Sequence, residues 1–276
     1  EMASLALDEV LYPSHPYRHP ADGFPQTIRA ITRDDLVDFH RDHFGPGSMV
    51  VAVVGAVEAD EVIALLGETF GDWENEVRTP PDLPEVTPFS ADDVRQVSIP
   101  GKSQADVALG AVGPARVSPD FVPASLGNSV LGQFGMYGRI GDAVREKAGL
   151  AYYAYSSVSG GMGPGPWSAA AGVDPRNVDQ AIELIKAEIS RFVSEPVSQE
   201  ELEDSQTNFI GRLPLALESN GGVAGALINL ERYGLGLDYY RNYPNLVRSV
   251  TPESALEVAC KYLDPDQLAV AVAGPD

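Results

Sequence analysis

One cysteine, Cys260, stands in a chain of 276 residues. A lone thiol excludes an internal disulfide and a thiolate zinc cage, since each needs further sulfur ligands. Cys260 falls at a helical position where a small, half-buried residue is expected. Basic residues are also scarce: 19 Lys and Arg face 40 Asp and Glu, a formal net charge of −21. Nucleic acid and anionic lipid both require a basic surface, so neither is expected as a partner, whereas a basic or unfolded peptide is compatible. No apolar run is long enough to cross a bilayer, so no membrane span is expected. With one cysteine and no visible signal sequence, the composition favours a cytoplasmic location. What is present is a 44% apolar complement, ample for the core of one or two domains.

The clearest positive feature is an internal repeat. The stretch from Pro25 to Gly55 aligns without a gap on Pro244 to Gly274, at a constant offset of 219. Pro25, Arg29, Thr32, Pro46, Val51, Ala52, Val53 and Gly55 meet Pro244, Arg248, Thr251, Pro265, Val270, Ala271, Val272 and Gly274. A period this long indicates two similar domains, because solenoid units are much shorter. The second copy begins at a strand near Val94, so the start of the first would fall before Glu1. The expectation is a truncated first domain over 1–75, an acidic, proline-rich linker over 76–92, and a complete second domain over 93–276.

The local patterns give the elements. Helix is predicted over Met2–Leu11, then after the N-cap Thr32, with Leu36, Val37, His40 and Phe44 on one face, and over Asp60–Phe70. The second copy repeats the capped helix from Thr251, with Pro252 in its first turn. Both copies lead into an apolar segment of buried-strand type, Met49–Val54 and Leu268–Ala273. In between, strands are expected over Val94–Ile99 and Ala105–Val112, a helix opened by Ser118 and Pro119, and another over Met136–Lys147 stopped by Gly149. A hairpin of Leu150–Val158 with Pro166–Val173 should turn across SGGMGPG. Asp174 and Pro175 start a long helix. Ser198 and Glu201 make a capping box for the next, which should kink at Pro214. Two further helices are predicted near Gly221–Tyr233 and Leu237–Val247. The order implies an α+β fold of two related layered domains, each with helices packed on one face of a mainly antiparallel sheet.

Catalytic motifs are absent from the visible chain: it has no Walker loop, dinucleotide fingerprint, Gly-x-Ser-x-Gly elbow or His-Glu-x-x-His helix. His15 and His19 are four apart, but Pro16 between them denies the segment a helical face. His40 and His43 lie three apart on a helix, the better spacing for a metal. His40 aligns with Ala259 on an apolar face, however, and no third ligand is in reach, so a half-buried, hydrogen-bonded histidine is expected. No catalytic residue and no metal ligand are assigned within this chain.

The run GRIGDAVREKAGLAYYAYSS, Gly138 to Ser157, resembles a segment of the second domain of M16 metallopeptidases of the pitrilysin and insulinase type. The run HPYRHPADGFPQTIRAITRDDLVDFHRDHFGPGSMVVAVVG is similar to the closing part of that family's first domain. The resemblance implies two similar α+β domains, with zinc held in the first by an inverted His-x-x-Glu-His helix that lies outside this chain. It therefore implies zinc in the parent protein, no cofactor here, and no activity from this chain alone. It assigns substrate binding to Arg145 and Tyr152, whose guanidinium and phenol would donate hydrogen bonds to peptide carbonyls, in a chamber formed by the domains. The helix dipole at Arg145 and an aromatic strand at Tyr152 are the purely structural alternatives. Tyr153 is expected to point opposite to both Tyr152 and Tyr155. Implied partners are a peptide or unfolded polypeptide substrate and, in a homo- or hetero-oligomer, another M16 subunit. The alternative is a non-catalytic M16 homologue that binds and builds structure beside an active subunit.

Overall fold

The computed structural model describes residues 1–75, 82–91 and 94–275, with the backbone alone for 134–137. Of the expected linker over 76–92, residues 76–81 and 92 lie outside the described residues. In chain order the elements are α1 (Met2–Leu11), α2 (Pro25–Ala30), α3 (Arg33–His43), α4 (Ala59–Phe70), β1 (Val94–Ser98), β2 (Ala105–Val112), α5 (Phe121–Gly132) and α6 (Phe134–Gly141). They continue with β3 (Ala151–Val158), β4 (Pro166–Val173), α7 (Val178–Ser194), α8 (Gln199–Ala216), α9 (Asn220–Arg232), α10 (Tyr239–Arg248), α11 (Pro252–Tyr262) and β5 (Ala269–Gly274). The chain divides into two compact units.

The larger unit comprises residues 1–19, 83–211 and 240–276. Its five-stranded sheet runs in the order β1-β5-β2-β4-β3. Only the β1–β5 pair is parallel. Alternate residues of each strand serve opposite faces. Val107, Leu109, Val270 and Val272 join Leu126, Trp167, Ile185, Phe192 and Ala255 in the main core beneath α5, α7 and α11. Ala108, Ala269, Ala271 and Ala273 face the other way, onto Ala3, Ala6, Leu7 and Leu11 of α1. The second face is thus covered by α1 over β1, β5 and β2, where the pattern predicted helices on one face alone. Alanine on both sides lets α1 lie close to the strands, and burying Leu7 and Leu11 contributes about 2 kcal/mol each.

Residues 20–82 and 212–239 form the smaller unit. Here α3 is closed at its start by a reciprocal box, Asp35 N–H donating to Thr32 Oγ1 at 3.3 Å and Thr32 N–H to Asp35 Oδ2 at 2.8 Å. The repeat copy α11 has the same design with Thr251 and Ser254. Beyond the caps the copies diverge. Leu36, Val37 and Phe44 are exposed, and residues 49–54 belong to no strand among the described residues. The physical reason is the ladder: β5 lies between β1 and β2, whereas its counterpart has no strand beside it among the described residues.

Two further expectations are corrected. The helix after Ser118 begins only at Phe121, because the Ser118 hydroxyl and carbonyl first close a turn on the Asp120 and Phe121 amides. The element predicted over Met136–Lys147 is α6 followed by a π-helical segment, Asp142–Lys147. Pro214, where a kink was expected, falls in the last turn of α8, which ends two residues later.

Candidate functional site

Arg145 and Tyr152 sit on either side of a tight turn joining the π-helical segment to β3, an edge strand of the sheet. The turn is fixed by backbone bonds from Ala148 N–H to Ala143 O at 3.2 Å, Gly149 N–H to Arg145 O at 3.1 Å, and Leu150 N–H to Val144 O at 3.0 Å. Gly149 has φ +64°, which favours glycine at this helix stop. π-helical turns within helices are rare and concentrate at functional sites. Arg145 is carried on this one, with a partly exposed side chain whose Nε lies 3.5 Å from Glu146 Oε1.

Tyr152 is the extra residue of a β-bulge. Pairing steps directly from Ala151↔Val173 to Tyr153↔Gly172, leaving Tyr152 outside the ladder and 82% exposed. A bulge re-aims a side chain by breaking the alternation of the strand. An exposed tyrosine of this kind makes no contribution to the core, so the simple aromatic-core alternative does not describe Tyr152. Tyr155, expected with Tyr152, instead shares a face with Tyr153, their ring centroids 5.9 Å apart. The pair lies two positions apart along the strand, with Ala154 between, the spacing that puts side chains on one face.

The opposite face of β3 is pinned to the core. Asn128, buried in α5, accepts from Ser156 Oγ at 2.7 Å and Trp167 Nε1 at 2.9 Å and donates to Ser156 O at 3.3 Å. Gly132 lets α5 approach β3 so closely that a Cβ there would overlap the Ser156 backbone and hydroxyl. On the α1 side, Tyr153 Oη donates to Asp106 Oδ1 at 2.9 Å, and Lys102 Nζ binds Asp106 Oδ2 at 2.5 Å. Burial raises the Asp106 carboxyl, but the bonds from Lys102 and Tyr153 outweigh it and hold the group below the usual range. Burial first, then the Asp106 bond, pushes the Tyr153 phenol up.

Sequence reasoning missed Asn128 and the group of Lys102, Asp106 and Tyr153. An asparagine inside the apolar run SLGNSVL was a visible sign of a satisfied buried polar group. The second group joins Lys102 and Asp106, four residues apart, to Tyr153 on a strand 47 residues further on, a link that left no local pattern.

The histidines are dispersed. His15 is buried between Tyr12 and Tyr17, its Nδ1 accepting from Tyr17 N–H at 3.1 Å, while His19 is exposed. His40 and His43 are exposed, contrary to the half-buried expectation. His40 stacks on Trp73 and Phe44 at centroid distances of 5.7 and 5.3 Å. Cys260 is exposed as well, with its Sγ 3.0 Å from Val193 O. Among the described residues no three His, Cys, Asp or Glu side chains cluster as a metal would require, and no helix is long and apolar enough to cross a membrane.

A family model described as the peptidase M16 inactive domain matches residues 30–209. An uncharacterized zinc protease of Streptomyces coelicolor is 29% identical over 209 residues, covering 74% of this chain and 45% of its own length. Another from Mycobacterium leprae is 26% identical over 269 residues, covering 96% of this chain and 59% of itself. The crystal structure of the peptidase M16 inactive domain from Pseudomonas fluorescens superimposes over all of this chain and 65% of that one, with a TM-score of 0.89 at 26% identity. The chain spans only 45% and 59% of these two curated relatives.

Proposed function

Because the chain belongs to the peptidase M16 family, we propose that it supplies peptide-backbone binding to an M16-type zinc peptidase and helps wall the chamber that holds the substrate. Residues 1–75 are read as the closing part of a first domain and 93–276 as the second domain. The observation that carries the reading is the pairing of two backbone irregularities: Arg145 on a π-helical turn and Tyr152 on the bulge that follows it. Both groups are donors, suited to the carbonyl oxygens of an extended peptide, and neither needs to change protonation to act. The residues described here do not fit a zinc site, since no ligand set clusters among them. In this reading the metal chemistry belongs to chain outside the described residues, and these residues bind and orient the peptide.

The test is peptide turnover and affinity in the whole protein with Arg145→Ala and Tyr152→Phe. Each is expected to lower turnover by about tenfold or more, as loss of an orienting donor does, with little change in melting temperature. Unchanged turnover in both would reduce the pair to surface structure.

A further inference from the structure

Across the sheet, Ala273 of β5, Asp106 of β2, Gly172 of β4 and Tyr153 of β3 stand in one row. This row is the first after the bulge at Tyr152. Side chains tie it together from end to end. Lys102 Nζ holds Ala273 O at 3.0 Å and Asp106 Oδ2 at 2.5 Å, and Asp106 Oδ1 accepts the Tyr153 hydroxyl. To reach Asp106, Tyr153 must lie across β4. It can do so because the residue beneath is glycine: a Cβ on Gly172 would come within 2.5 Å of the Tyr153 ring.

A bulge on an edge strand has a competitor, the register in which the extra residue enters the ladder and its neighbour is expelled. Downstream, β3 is already fixed by the bonds between Asn128 and Ser156. Upstream, the turn bond from Leu150 N–H to Val144 O fixes its start. The freedom that remains lies in Ala151–Tyr153, and the phenol bond of Tyr153 restrains it. We infer that Tyr153 is a positioning residue, which through its bond to Asp106 keeps Tyr152 outside the ladder in its peptide-binding orientation. This inference rests on the reading of Tyr152 as a substrate-binding residue.

The test titrates a fluorescein-labelled β-casein peptide with the full chain and follows anisotropy. Tyr153→Phe keeps the ring over Gly172 and removes only the hydroxyl. It should weaken binding about fivefold, within the range of coupling between neighbouring residues, and should have no effect in a Tyr152→Ala background. Asp106→Ala removes the acceptor of the Tyr153 hydroxyl without touching β3, and should weaken binding in the same direction. It serves as the second variant should Tyr153→Phe fail to fold. Equal weakening by Tyr153→Phe in both backgrounds, or a lowered melting temperature with unchanged affinity, would make the bond purely structural and overturn the inference. If Tyr152→Ala itself binds the peptide normally, the peptide-site reading fails and the positioning role falls with it.

Discussion

Trp167 and Asn128 form a buried donor–acceptor pair between β4 and α5, the indole Nε1 donating to the amide Oδ1 at 2.9 Å. Trp167 is also packed edge-on against Phe192, with centroids 6.1 Å apart. Asn128→Ala would leave the Trp167 N–H and the Ser156 carbonyl buried without this partner. The expected cost is about 3 kcal/mol, the penalty of unsatisfied buried groups added to lost packing. Urea denaturation followed by tryptophan fluorescence measures it. A loss below about 1 kcal/mol would mean that the network does not hold α5 against the sheet.

The contrast between Asn128 and the repeat shows what was legible in the sequence. Caps at Thr32, Thr251 and Ser198, the hairpin across SGGMGPG and the stop at Gly149 are local, and their positions followed from residue type alone. The strand expected over Met49–Val54 did not form. Its apolar pattern records a buried environment, but a strand exists only where neighbours supply its hydrogen bonds. The bulge at Tyr152 was illegible for a related reason. It is set by pairing with β4 and by the tie to Asp106, neither of which lies nearby in sequence.

Acid should weaken the contact between α6 and α8. Arg139 donates to both carboxylate oxygens of Glu201, at 2.9 and 2.7 Å, and this bond, aided by the Ser198 cap, lowers the Glu201 pKa from 4.5 to about 2. A depressed carboxyl contributes stability that is fully present above its unfolded value and is lost as pH falls through its folded value. The Glu201 contribution is therefore expected to fade between pH 4.5 and 2. Glu201→Gln should flatten that part of the stability curve. An unchanged acid slope would show the pair to be compensated elsewhere.

Asp8 should act with the opposite sign. Burial on α1 raises its pKa from 3.8 to about 6, so the folded chain favours the neutral acid. Its stabilising contribution is present below pH 3.8 and is lost as pH rises through 6. At neutral pH the buried charge opposes folding. Asp8→Asn is expected to raise the melting temperature at pH 7 and to leave it nearly unchanged at pH 3. A variant that is destabilised at pH 7 would place a favourable partner on the carboxylate.

The repeat provides an internal control for environment. Val51 and Val270 occupy the same position in the two copies, yet Val51 is 51% exposed and Val270 is 5% exposed between two strands. Their residue type, neighbours and local pattern are nearly the same, so a difference between them isolates burial. Val270→Asp places a carboxylate in the main core and is expected to cost about 4 kcal/mol or more. Val51→Asp is expected to stay within about 0.5 kcal/mol in this chain, as surface changes do. Paired urea melts measure both. In a longer protein whose added residues supply strands beside Val51, the two costs should converge, and a persistent gap there would overturn the reading of residues 1–75 as the closing part of a first domain.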